Sequence, residues 1–342
     1  MHPSLFKIRE RGKFGFIDRQ GEVVIEPQYF EADDFYNGFS RVRLNNRLVP
    51  LDSLGRLLLK NFFNYVGFFE EGLARAQLVR RWGYIDPKGN LAIGVQFEDA
   101  RDFSEGLAAV RLEGLYGYLT PRGEWQLMPR FDSAGEFRQG VAPALQDYTW
   151  GYIDMDGKWR IEPRFEAAFP FQDEVAVARL DAQRWGLIDW LGNWLAEPAF
   201  DWVEGAQNGE FFEDLAVAVQ DGRYGFIDRG GQMAIPPDFD FAGDFSGGLA
   251  LAEKDGNIGF INYGGAWAIA PQFTDAGIFS EGLAPARKGG RWGFIEKDGA
   301  WAISPRFEEC LPFRDGLAWV QQDGAWAYTD AAGNIVWRET RF

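Results

Sequence analysis

The chain has almost none of the residue types on which metal binding and histidine-based catalysis depend. Among its 342 residues there is one histidine and one cysteine. A disulfide within the chain is therefore impossible, and a His/Cys metal site or a catalytic triad would lack nearly all of its side chains. We interpret His2, close to the N-terminus, as a solvated residue. The sequence predicts no catalytic residues, no metal and no cofactor.

Long apolar runs are also lacking. No run approaches the roughly 18 residues that would span a bilayer. The first residues show no charged segment followed by an apolar one, so we expect no signal peptide. These absences favour a cytoplasmic protein without a membrane span, unless a leader has been removed. No stretch shows a sustained helical period, so no long helix is expected.

Basic residues are in the minority. The chain has 35 Lys and Arg against 51 Asp and Glu, a formal net charge of −16. A chain this acidic repels a phosphate backbone, and no basic stripe stands out along the sequence. We therefore expect no nucleic-acid partner, although aromatic residues are plentiful. The acidic balance favours solubility.

The chain does have repetition. Near-copies of Arg81–Gly89, which reads Arg-Trp-Gly-Tyr-Ile-Asp-Pro-Lys-Gly, recur at intervals of 34 residues, with two intervals of 35 and 39. Ten copies account for nearly the whole chain, which predicts a single repeat array over residues 1–342. The glycine of the stretch, or the residue in its place, lies at Gly15, Val49, Gly83, Gly117, Gly151, Gly186, Gly225, Gly259, Gly293 and Ala327.

Each copy predicts short strands. Small apolar residues two apart, such as Ala142 and Ala144, indicate a first strand. Pro143 lies within it, and a proline cannot donate to a ladder, so we expect this strand at a sheet edge or a bend. The repeated stretch is the second strand. Asp86-Pro87-Lys88-Gly89 predicts a type I turn with a glycine of positive φ, leading to a third alternating strand.

These units predict an all-β fold. We expect a tandem array of about ten units of 34 residues, each with three short strands, in which neighbours stack to bury their apolar faces. An open, solenoid-like stack is favoured over a closed, propeller-like ring, because ten blades would be many and three strands per blade few. Low-resolution scattering would separate the two, since an elongated particle excludes the ring.

The spaced elements resemble a known family. Trp-Gly-Tyr-Ile-Asp-x-x-Gly, then Ile-x-Pro-x-Phe, then Phe-x-x-Gly-Leu-Ala is similar to the WG repeat, a bacterial β-repeat. The resemblance covers all ten units, and the second unit, around Val49, is degenerate. It implies an all-β module that serves as a binding or interaction region. The resemblance brings no catalytic residues.

Two features are candidate binding sites. Tryptophans recur two residues past the turn glycine, and such a column can stack sugars, quaternary amines or a proline-rich peptide, although the adjacent isoleucine column favours a buried stack between units. Its members are Trp125, Trp159, Trp194, Trp267 and Trp301. The other feature is an insertion at 204–210, a surface loop whose candidate contacts are Glu204, Asn208 and Glu210.

The remaining polar candidates have simpler interpretations. A repeated aspartate at the turn, exemplified by Asp154, is better explained by bonds to its own backbone than by calcium binding. Cys310 falls in a column of small apolar residues, which predicts a buried thiol. A hydrolase using carboxylates such as Asp244 and Glu281 would need two acids facing across a cleft.

The sequence therefore predicts a non-catalytic scaffold that binds a protein or another ligand. A module that binds carbohydrate or the cell envelope is the alternative, and a carboxylate hydrolase is a further one. The identity of the protein or glycan partner is left open.

Overall fold

A computed structural model describes residues 4–44, 47–58, 63–181, 184–203 and 211–340. Within these ranges the chain consists of β-strands joined by turns, and no helix occurs. In chain order the strands are β1 (Phe6–Glu10), β2 (Lys13–Ile17), β3 (Val23–Tyr29), β4 (Phe39–Leu44), β5 (Arg47–Asp52), β6 (Tyr65–Val66), β7 (Ala74–Leu78), β8 (Arg81–Ile85), β9 (Leu91–Phe97), β10 (Asp99–Ala100), β11 (Ala108–Leu112), β12 (Leu115–Leu119), β13 (Trp125–Phe131), β14 (Ser133–Ala134), β15 (Val141–Gln146), β16 (Thr149–Asp154), β17 (Trp159–Phe165), β18 (Ala167–Ala168), β19 (Val175–Arg179), β20 (Trp185–Asp189), β21 (Trp194–Phe200), β22 (Trp202–Val203), β23 (Leu215–Gln220), β24 (Arg223–Asp228), β25 (Met233–Phe239), β26 (Phe241–Ala242), β27 (Ala250–Lys254), β28 (Asn257–Ile261), β29 (Trp267–Phe273), β30 (Asp275–Ala276), β31 (Ala284–Lys288), β32 (Arg291–Ile295), β33 (Trp301–Phe307), β34 (Glu309–Cys310), β35 (Leu317–Gln322), β36 (Ala325–Asp330) and β37 (Ile335–Arg338).

The strands form ten antiparallel sheets, one for each repeat, and we number the repeats by them. Repeat 1 is β1–β3, repeat 2 is β4–β5, and each later repeat takes the next four strands in chain order. The expected all-β repeat array is confirmed. The sequence predicts three strands per repeat, and the structure adds a two-residue strand from the connector in repeats 3 to 10.

This added strand corrects the expected position of the first long strand. The sequence places the strand that holds Pro143 at a sheet edge or a bend, and the edge placement is wrong. β15 lies second in its sheet, beside β14, whose pairs Ser133↔Leu145 and Ala134↔Ala144 end just short of Pro143. Because β14 is so short, the missing N–H of Pro143 interrupts no ladder.

The repeated turns confirm their predicted geometry. Asp86 Oδ1 accepts hydrogen bonds from the backbone N of Lys88 at 2.9 Å and of Asn90 at 2.8 Å. The hydrogen bond from the Asn90 side chain lowers the pKa of the Asp86 carboxyl. Gly89 has a φ of 75°, and the equivalent glycine has a positive φ in every repeat. The aspartate column therefore builds turns, as its sequence pattern predicts.

The Gly of the Trp-Gly pair has a different structural reason. β12 and β13 pair with register shifts on both sides of Tyr118, so the third strand bends across the second. A Cβ built on Gly117 would lie 2.5 Å from the carbonyl O of Leu127 and 2.7 Å from the N of Pro129. Only glycine leaves room for this backbone approach.

The core lies between consecutive repeats. One cluster joins Tyr118 and Phe131 of repeat 4 to Phe137 and Ala144 of repeat 5. The Tyr118 ring meets the edge of Phe137 at 4.8 Å, and its hydroxyl donates to the Gly135 carbonyl at 2.9 Å. Since no sheet buries both its faces alone, neighbouring repeats stabilise one another.

The chain divides into two compact units. Unit 1 consists of Met1–Asp18, Glu22–Ala182 and Ile188–Trp194, and unit 2 of Arg19–Gly21, Gln183–Leu187 and Leu195–Phe342. Within unit 2, the turn at Arg19–Gly21 packs against Gly316 and Val336 of repeat 10.

Candidate functional site

The predicted tryptophan column lies between repeats. Each of its five indoles is partly buried and meets the edge or face of the phenylalanine that ends the third strand of the preceding repeat. Trp159, for example, lies 5.8 Å from Phe131 at an interplanar angle of 80°. The equivalent pairs are Phe97–Trp125, Phe165–Trp194, Phe239–Trp267 and Phe273–Trp301. These contacts favour packing over ligand stacking.

Substituting Trp159 tests that assignment. We expect Trp159→Ala to lower the free energy of unfolding by about 2 kcal/mol, because a partly buried indole and its ring contact are lost. Trp159→Phe should retain most of the stability. Denaturant titration of the three proteins measures this, with retention on a glycan array as a second readout. An unchanged stability together with lost glycan retention would indicate a sugar site instead.

The predicted contacts of the insertion, Glu204, Asn208 and Glu210, lie outside the described residues. They are therefore not placed relative to any other candidate.

Cys310 is buried between repeats 9 and 10, beside Phe313 and Trp292. Burial raises the pKa of its thiol to about 12. A buried neutral thiol is a poor nucleophile, which agrees with the sequence interpretation.

We expect the native Cys310 thiol to resist iodoacetamide at about pH 8, where an ordinary exposed cysteine reacts readily. The same chain in guanidinium chloride should be alkylated fully, and mass spectrometry measures both reactions. Rapid labelling of the native protein would contradict the burial of this side chain.

The two acids considered for a hydrolase, Asp244 and Glu281, do not line the same described cleft of unit 2. An open cleft of about 690 Å³ is lined by Glu281 and Asp330, with Arg19 beside them, and its lining does not include Asp244. Glu281 Oε2 accepts the Gly316 amide at 2.9 Å, and Asp330 accepts those of its own turn. Among the residues that the structure describes, no group of three or more His, Cys, Asp or Glu could hold a metal ion.

A surface that the sequence interpretation missed lies at the hairpin tips of unit 1. The tip of a repeat is the turn that joins its first and second long strands, as at 113–114 between β11 and β12. Adjacent tips are connected through an acidic side chain. Glu98 accepts from Arg81 Nη1 of repeat 3 at 3.5 Å and from the Gly114 backbone N of repeat 4 at 3.0 Å. The tips of consecutive repeats therefore lie side by side.

Apolar side chains are exposed along these tips. We call the following residues the tip surface: Leu78, Val79, Leu115, Tyr148 and Leu180 at the tips, and Phe30, which follows β3 and packs against Lys13 of the first tip. Tyr148 is 94% exposed and Val79 is 77% exposed. The tips of repeats 7 to 10, in unit 2, have only polar, glycine or alanine residues at the positions of Leu78, Val79, Leu115 and Tyr148: Gln220, Asp221, Gly222 and Arg223; Lys254, Asp255, Gly256 and Asn257; Lys288, Gly289, Gly290 and Arg291; Gln322, Asp323, Gly324 and Ala325.

Two members of the tip surface are also in an unfavourable backbone conformation. Val79 has a φ of 60° and Tyr148 a φ of 68°. Left-handed backbone costs an L-residue about 1–2 kcal/mol, and a β-branched valine is a marked exception there. Glycine fills the position of Tyr148 in other repeats, as at Gly114 and Gly256. Aligning the hairpin turns by their glycines would have shown from the sequence that Tyr148 replaces a glycine.

A membrane-crossing helix is not found: none of the described residues forms a helix of the necessary length and apolarity.

Comparison with known proteins identifies the repeats. The family described as "WG containing repeat" matches residues 14–47, 82–116, 116–150, 150–182, 185–224, 224–257, 258–292 and 292–326. The unmatched interval after residue 47 corresponds to repeat 2, where Val49 replaces the glycine. No curated protein matches the chain significantly.

Several solved structures are similar to this chain at low sequence identity. A crystal structure titled as the eukaryotic initiation factor has a TM-score of 0.56 at 11% identity, covering 99% of this chain and 96% of its own. The computationally designed Ika8 protein has a TM-score of 0.44 at 14% identity, covering 79% and 93%. BamB from Moraxella catarrhalis has a TM-score of 0.35 at 10% identity, covering 90% and 98%. At 11% identity the likeness to the initiation factor concerns the fold alone.

Proposed function

The chain belongs to the WG-repeat family, and from that premise we propose that it is a non-catalytic scaffold that binds a protein partner through its tip surface. The observation that supports this is the exposure of Val79 and Tyr148 in left-handed backbone. Neither side chain is buried, and the conformation of each is unfavourable, so neither contributes to folding. Contiguous exposed apolar groups of this kind are typical of protein interaction sites.

The repeat architecture supports the same proposal. Because side chains that follow a third strand, such as Glu98 and Asp132, accept a backbone hydrogen bond from the tip of the next repeat, the tip surface is held on sheets rather than on a long loop. A rigid platform loses little conformational entropy on binding. Tyr148 is the residue type most suited to anchor such a contact, since it presents a large ring with few rotatable bonds.

Affinity capture from the source cells tests the proposal. We would compare the full chain, a Val79→Gly and Tyr148→Gly double variant, and a chain in which the insertion at 204–210 is shortened. Proteins retained by the full chain and by the shortened chain, but not by the double variant, are the expected result. Loss of the same proteins only on shortening would place the partner at the insertion and overturn the proposal.

Binding of carbohydrate through the tryptophan column is less supported. The indoles are already in contact with the rings of the preceding repeat, as in the Phe131–Trp159 pair.

A further inference from the structure

Carboxylates pair with cations at several hairpin tips. In repeats 3, 6, 7 and 9 the residue that follows the third strand is acidic and pairs with an arginine at the start of the second strand of the same repeat. Glu308, for example, accepts from Arg291 at 3.1 Å and from the Gly324 backbone N of the next tip at 2.8 Å. Asp240 likewise pairs with Arg223 and accepts the Asp255 amide at 2.7 Å.

Repeats 1 and 2 also begin their second strand with a cation, Lys13 and Arg47, but have no acid at the position that follows the third strand. Phe30 and Asn64 occupy the position of the acid. The Lys13 ammonium lies over the Phe30 ring instead of meeting a carboxylate. Asn64 Oδ1 accepts the Val79 backbone N at 2.6 Å, which retains the link to the tip but supplies no charge.

The result is a basic end of the tip surface in an acidic protein. At and beside the tips of repeats 1 to 3 lie three carboxylates, Glu10, Glu31 and Glu98, against seven cations, Arg9, Arg11, Lys13, Arg43, Arg47, Arg80 and Arg81. Glu31 pairs with Arg43 and Glu98 with Arg81. The net charge of the whole chain is −16, so this local excess of positive charge has the opposite sign.

Exposed apolar groups accompany these cations. Phe30 is 70% exposed beside Lys13, and Leu78 and Val79 precede Arg80 directly. The surface therefore combines apolar anchor sites with positive charge. A complementary partner has apolar side chains among carboxylates. The rest of the acidic chain repels such a partner, which directs it to this end.

We propose that the tips of repeats 1 to 3 bind an acidic protein segment that carries apolar or aromatic anchors. This inference rests on the proposed function of the tip surface and specifies the chemistry of its partner. The apolar contacts supply affinity, and the cations supply orientation and a faster association.

Two labelled peptides test this chemistry on the full chain by fluorescence anisotropy. Both have Leu and Tyr at the same positions, with Glu between them in one and Lys in the other. We expect the Glu peptide to bind, the Lys peptide not to bind, and added salt to weaken binding. Arg80→Glu should lower the affinity for the Glu peptide by about tenfold. Lys288→Glu, at a tip of unit 2, is the matched control and should change little.

Other outcomes overturn the inference in distinguishable ways. Preference for the Lys peptide, or an unchanged affinity in Arg80→Glu, contradicts an acidic partner. Sedimentation with vesicles containing phosphatidylserine, without binding of the Glu peptide, assigns the surface to anionic lipid instead. If capture from cells depends on Val79 and Tyr148 but not on Arg80, the proposed function stands and the acidic chemistry fails.

Discussion

We expect Gly83→Ala to destabilise the protein by about 3 kcal/mol, because its new methyl group would collide with backbone rather than with a movable side chain. A Cβ on Gly83 would lie 2.6 Å from the Ile93 carbonyl O and 2.8 Å from that of Gly94. The two carbonyls belong to β9, whose register against β8 shifts at this point. The clash can therefore be removed only if the third strand, β9, moves. Denaturant titration, with hydrogen exchange to localise the damage, measures the effect.

Gly94→Ala is a matched control in the same sheet. A Cβ at Gly94 would meet nothing within 4 Å, and its φ is not positive. Alanine there should be neutral or stabilise by up to about 1 kcal/mol, because it restricts the unfolded chain. Similar losses of stability in the two variants would show that the backbone approach at Gly83 is not the cause.

The chain contains its own comparison for this position. Ala327 replaces the glycine in repeat 10, and there it pairs directly with Arg338 without the shift on its N-terminal side. Val49 replaces it in repeat 2, where β5 pairs with β4 and forms an isolated bridge, Leu51↔Leu57, with the segment after its turn. In repeat 10 a side chain is thus present where the third strand does not bend across the second in the usual way.

The second prediction has effects of opposite sign on stability and on binding. We expect Tyr148→Gly to raise the free energy of unfolding by about 1 kcal/mol, because glycine adopts a φ of 68° without steric cost. The same change should weaken partner binding by about 2 kcal/mol, a loss of roughly thirtyfold, since an exposed aromatic anchor disappears. Val79→Gly should behave likewise.

Calorimetric unfolding and titration with the captured partner measure the two effects. Tyr263→Ser in unit 2 is the control, since Tyr263 is also an exposed tyrosine but lies outside the tip surface. It should leave binding unchanged and lower stability slightly, because its hydroxyl donates to Glu213 Oε2 at 2.7 Å. A gain of stability in Tyr148→Gly without a loss of binding would confirm the backbone strain but show that the Tyr148 ring does not contribute to binding.

Local features of the fold were predictable because they depend on neighbours in the chain. The turn at Asp86–Gly89 needs an aspartate at its start and a glycine of positive φ at its end, and both lie within four residues. The alternation in Asn90–Ile93 needs only a period of two. Repetition then strengthened these signals, since the turn glycine recurs in all ten copies.

The two-residue strands were not predictable, because they depend on contacts in space rather than on neighbours in the chain. Ser133–Ala134 is too short to show any period, and its pairing with β15 depends on where the connector lies in space. The position of Trp159 against Phe131 is likewise a contact between repeats. A column of tryptophans in the sequence is compatible with either a buried stack or an exposed ladder.

The sequence by itself determined the all-β repeat, its length, its turns and its family, because these follow from short-range spacing that recurs along the chain. Only the tertiary structure decided which side chains share a surface. The cations Arg11, Arg47 and Arg80 are about one repeat apart in a net acidic chain, so no basic stripe is visible in the sequence. Stacking of the repeats aligns their tips, and proximity in space rather than in sequence then sets the local charge.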